Sequence, residues 1–131
     1  MIQRYFDALK QAVDSFAAAP FVLDVRMSFE LRPGNQGYVV GALLFQDQSA
    51  LHFREYLDSD GGHVSKLMYT YHYQDADRQM FFRYDNARHQ PALPMQEHKH
   101  VGEAITASHA PALAEVLTEI VMTRGWVEHR G

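Results

Sequence analysis

Apolar residues recur at steps of three and four through the first turns of the chain. Ile2, Phe6, Leu9, Val13 and Phe16 form one stripe, the period of an amphipathic helix. The spacing predicts a helix over 2–18, closed by Pro20. The period then changes to two. Phe21, Leu23, Val25, Met27 and Phe29 alternate with Asp24, Arg26, Ser28 and Glu30, which predicts a half-buried strand over 21–31. Pro33-Gly34-Asn35-Gln36-Gly37 is turn chemistry, and 38–45 reads as the return strand. Three more strands are expected over 51–56, 64–74 and 79–84, separated by turns rich in Asp, Ser and Gly. Residues 86–107 show no period and are punctuated by Pro91, Pro94 and Gly102. They read as a long loop, a length that is usually functional. Leu113, Val116, Leu117, Ile120 and Val121 mark a second helix, capped by Ser108 or Ala110, with Pro111 in its first turn and Gly125 at its end.

Strands joined by short turns form an antiparallel meander. The expected class is α+β: a five-stranded antiparallel sheet with the N-terminal and C-terminal helices packed on one face. A chain of 131 residues suits one domain, 1–131, with one core. Its opening, MIQRYFDALK, lacks the apolar segment of a signal peptide, and no apolar run approaches the roughly 18 residues needed to cross a bilayer. The expectation is a cytoplasmic protein without membrane contact. The absence of cysteine excludes disulfides, thiolate metal sites and catalytic thiols. The net charge of -4 gives no overall surplus of cations for nucleic acid, although Arg54, Arg83, Arg88 and Lys99 fall in the chemically dense stretches.

Eight histidines supply groups that titrate near neutrality. Alternation sorts the strand residues by face. His52, Arg54 and Tyr56 share one face of the third strand and Leu51, Phe53 and Glu55 the other. One consistent arrangement puts Arg54, His72, Arg83 and Asp85 together on an accessible face beneath the His-rich loop. Arginine grips phosphate with a two-pronged fork, and two histidines provide a general base and a general acid. That combination suits metal-independent RNA cleavage. The catalytic candidates are His72, Arg83, Asp85, His89, His98 and His100. Arg54 and Lys99 are phosphate-binding candidates, and Tyr73 and Tyr84, with Tyr69 and Tyr71, are candidates to stack on bases. The bland alternative is that Tyr and Arg make ordinary cross-strand pairs. A core-facing Glu55 needs a partner, an arginine or a tyrosine hydroxyl. His98-Lys99-His100 with His89 and Asp85 offers nitrogen and oxygen ligands, but the spacing matches no standard zinc signature. The expectation is no metal and no cofactor.

Four stretches occur in the order seen in the TumE-like toxin family: FREY (Phe53–Tyr56), YTYHYQDAD (Tyr69–Asp77), FRYDNARH (Phe82–His89) and HKH (His98–His100). Gln36-Gly37-Tyr38 fits as well. Together these are specific, and the chain resembles that family from about Tyr5 to Ile120. It departs at Arg88 and Gln90, where the family often has Pro and a second His, which weakens any metal scheme needing an adjacent His pair. The resemblance implies the toxin of a type II toxin–antitoxin pair with a helix-turn-helix antitoxin as partner. It leaves the reaction open between an endoribonuclease and a non-enzymatic toxin that blocks a target through a Tyr-rich sheet face. RNA and a second copy of the chain, in a homodimer, are the other partners to consider.

Overall fold

A computed structural model describes residues 1–86 and 97–126. The order of elements is α1 (Ile2–Ala17), β1 (Val22–Arg32), β2 (Gln36–Phe45), β3 (Ala50–Asp60), β4 (His63–Gln74), β5 (Met80–Asp85), β6 (His98–Val101), β7 (Ala104–Ala107) and α2 (Leu113–Arg124). Every strand pairs antiparallel with the next, giving one sheet of seven strands in chain order. The α+β class and the meander are as expected, but the strand count of five is corrected to seven. β6 and β7 lie in the stretch read as a loop. Each has only four residues, too few for a period of two to stand out. Gly102, at φ 57°, turns the chain between them, a conformation glycine adopts without cost.

Both helices lie on the same side of the sheet. Tyr5 of α1 and Tyr71 of β4 both donate to Glu55 of β3, and Tyr84 of β5 donates to Glu119 of α2. The stripe Ile2, Phe6, Leu9 and Val13 is buried against the sheet. At Gly37 a Cβ would lie 2.7 Å from Ile2 Cγ2, so the missing side chain lets α1 approach β2. Helix α2 buries Leu113, Val116, Leu117 and Ile120. The Ala112 amide donates to Glu115 at its start, which places the cap after Pro111 instead of at Ser108 or Ala110. Gly125 ends it in the left-handed conformation at φ 71°, as helix ends favour. Trp126 then stacks on Phe21 with centroids 5.2 Å apart.

Three bulges reset the alternation that the sequence pattern implies. In β1 the register jumps between Val22 and Asp24. Val22 and Val25 therefore both pack on the core, while Leu23, expected inside, is 53% exposed. In β5 the extra residue is Phe81: Tyr73 pairs with Phe82 and Gln74 with Met80. In β4 Leu67 is the extra residue, since Tyr56 pairs with Met68 and Leu57 with Lys66. A bulge re-aims the side chains beyond it, and this one turns Lys66 toward the covered face. There it lies 3.6 Å from Glu55 and donates to the Pro111 carbonyl at 2.6 Å.

Candidate functional site

The face opposite the helices carries two cross-strand rows of polar side chains. The first runs His52 on β3, His72 on β4, Arg83 on β5 and His100 on β6, each the direct partner of the next. The second runs Arg54, Thr70, Asp85 and His98 on the same four strands. Arg54, His72, Arg83 and Asp85 do share one face, but Asp85 is buried there and not accessible as expected, and β6 adds His98 and His100 to the face. His89 lies outside the described residues. His52 received no role from the sequence; its direct pairing with His72 depends on the β3–β4 register, which no local pattern specifies.

A groove of about 310 Å³ opens on this face, with His52, Arg54, Thr70, His72 and Arg83 in its lining. Its charges are positive. Burial pushes the His72 imidazole below its ordinary value of 6.5, and the Arg83 and His52 charges push the same way, against a hydrogen bond with Gln74 that favours the charged ring. A buried site bounded by cations disfavours a further positive charge. His72 Nδ1 is buried with no hydrogen-bond partner.

Beside the groove, Asp85 organises its neighbours. Arg83 donates through Nε to Asp85 Oδ2 at 2.9 Å. His98 Nδ1 lies 3.2 Å from Asp85 Oδ1, and His100 Nε2 lies 3.4 Å from Oδ2. Asp85 and His98 are almost fully buried, at 2% and 1% exposure. Burial alone would raise the Asp85 carboxyl, but the hydrogen bonds from His98 and Arg83, with the charges of His100 and Arg83, hold it below the usual carboxylate value. One atom from each of Asp85, His98 and His100 lies within 4.8 Å of the others.

Tyr73, Tyr84 and Lys99 are not at this site. Tyr69, Tyr71, Tyr73 and Tyr84 are buried in the core beneath the helices, which corrects the expectation of a Tyr-rich accessible face. Each hydroxyl has a polar partner: Tyr69 with Glu97, Tyr71 with Glu55, Tyr73 with Ser49 and Tyr84 with Glu119. Satisfied in this way, a tyrosine is a core residue with a polar tip. Lys99 is on the same covered side, 3.2 Å from Glu119 and over the Tyr84 ring at 5.0 Å. Glu55, expected inside, is fully buried. Its partners are Tyr5, Tyr71 and Lys66, with no arginine among them.

The family model described as Toxin TumE matches residues 10–125. The chain belongs to the TumE toxin family. The matched span includes every strand that builds the face just described. Membership in a toxin family implies an antitoxin partner in general terms. Comparisons with curated proteins and with solved structures gave no match. Among the described residues, no helix of this TumE-family chain is long and apolar enough to cross a membrane.

Proposed function

We propose that this chain is the toxin of a toxin–antitoxin pair, with a helix-turn-helix antitoxin as partner, and that it is an endoribonuclease needing no metal for its chemistry. The observation that carries this reading is the groove in which two directly paired histidines, His52 and His72, lie among Arg54 and Arg83. Metal-independent RNA cleavage needs a base, an acid and a cation for the phosphate, and all three are within one groove.

The depressed imidazole of His72 is biased toward its neutral form and takes the proton from the ribose 2′-hydroxyl. The 2′-oxygen attacks phosphorus, the new P–O2′ bond forms and the P–O5′ bond breaks. His52 is the general acid and gives a proton to the departing 5′-oxygen. The products are a 2′,3′-cyclic phosphate and a 5′-hydroxyl. Arg54 and Arg83 bind the non-bridging oxygens, where negative charge concentrates in the transition state. Asp85 accepts from Nε of Arg83, which orients the guanidinium, and the terminal N–H groups of Arg83 bind phosphate.

Induced expression should arrest growth and fragment total RNA. His72→Ala and Arg83→Ala should lose both effects while the purified variants keep the wild-type circular dichroism spectrum. Growth arrest with intact RNA would instead favour a toxin that blocks its target without chemistry.

A further inference from the structure

We propose that Asp85, His98 and His100 form a binding site for a divalent first-row transition ion of the zinc class, separate from the His52–His72 groove. The inference goes beyond the nuclease reading and does not depend on it.

The geometry points to an ion in three ways. First, the donor set is two imidazole nitrogens and one carboxylate, a combination that binds zinc and its neighbours with one or more coordination positions left for water or another donor. Second, the spacing is close to that of a ligand set. Metal bonds of about 2.0–2.1 Å in a tetrahedron put neighbouring ligand atoms about 3.3 Å apart. Here His98 Nδ1 lies 3.2 Å from Asp85 Oδ1, His100 Nε2 lies 3.4 Å from the other carboxylate oxygen, Oδ2, and one atom from each residue lies within 4.8 Å of the others, so small side-chain shifts would close the three around one ion. Third, the ligands are held by regular structure. His98 and His100 project to the same side of β6 because they are two residues apart, and Asp85 is the direct partner of His98 on β5. Asp85 and His98 are already almost fully buried, so much of their desolvation is complete before an ion arrives.

Arg83 completes the arrangement. Its Nε donates to Asp85 Oδ2 at 2.9 Å. Ligating carboxylates are commonly held by such an outer hydrogen bond. An ion here would pin β5 to β6, the two strands that flank the segment 87–96. The competing account of the same distances is an ion-pair network of Arg83, Asp85 and the two histidines with no affinity for a metal.

Full-length protein, treated with EDTA and dialysed free of it, is titrated with zinc chloride by calorimetry. Parallel titrations use His100→Ala, Asp85→Asn and His109→Ala, the last changing an exposed histidine that is not one of the three ligands. The expected result is one ion per wild-type chain, unchanged in His109→Ala and weakened at least about tenfold in the other two. Cobalt chloride gives a second readout. The wild type should develop the visible d–d bands of a nitrogen- and oxygen-ligated ion, and His100→Ala should not. That spectrum decides the matter should Asp85→Asn fail to fold. No binding by the wild type, or equal binding by the wild type and His100→Ala, overturns the site. Failure to cleave RNA leaves the isotherm and the cobalt bands unaffected, so the two proposals fail separately.

Discussion

His72 pairs directly with His52 on one side and with Arg83 on the other, so its imidazole lies between two basic side chains on neighbouring strands. This placement ties its titration to stability. Its folded value lies below the ordinary 6.5, through burial first and the Arg83 charge second. As the pH falls past about 6.5, the unfolded chain takes up the proton before the folded chain does. The folded state therefore loses stability between the ordinary value and the lower folded one. The urea midpoint should drop between pH 7.5 and pH 5.5, and His72→Gln should drop less over the same interval. Equal drops would contradict the assignment.

Glu55 carries a different expectation. It is fully buried and accepts from the Tyr5 and Tyr71 hydroxyls, with Lys66 at 3.6 Å. Removing one partner of a buried ion pair strands the other charge, at about 3–5 kcal/mol. Glu55→Ala should cost that much in urea unfolding. Tyr71→Phe removes the hydrogen bond it donates to Glu55 and the one it accepts from Lys66 and should cost about 1–3 kcal/mol, because it leaves a buried acceptor short of a donor. A small effect of Glu55→Ala would mean that the pair is not desolvated as the structure has it.

The core placement of the tyrosines gives a prediction opposite to that of a base-stacking sheet. With His72→Gln as a background that blocks cleavage, Tyr73→Phe and Tyr84→Phe should leave the Kd for a short RNA within about twofold in fluorescence anisotropy. Arg54→Ala should weaken it about tenfold, the loss of one charge-assisted contact of about 1.5 kcal/mol. Stronger losses from the two Phe variants would place those rings against RNA after all.

Much of the site was legible in the sequence because alternation is a strict geometric rule within a strand. Arg54, His72, Arg83 and Asp85 sort to one face, and Glu55 sorts with Leu51 and Phe53 to the other. Alternation alone does not say which face the helices cover, and tyrosine serves either face. What decides it is the set of hydroxyl partners, such as Glu119 for Tyr84 and Glu97 for Tyr69, which lie far away along the chain. The bulges were invisible for a related reason. An extra residue at Leu67 changes which way Lys66 points, and nothing local in Ser65-Lys66-Leu67 marks it. The four-residue strands β6 and β7 carry no detectable period, so the sequence alone groups Lys99 with the site although it faces α2.

The most direct test of the central claim uses purified protein, RNA and EDTA. A short RNA and the same sequence with 2′-deoxy substitution at every position are incubated with metal-stripped wild type, and the ends of any fragments are identified. The His52–His72 groove predicts that the RNA is cut in the presence of EDTA, that its fragments carry 2′,3′-cyclic phosphate and 5′-hydroxyl ends, and that the deoxy strand stays intact. Cleavage that appears only when a divalent ion is restored, or that leaves 5′-phosphate ends, would contradict the account.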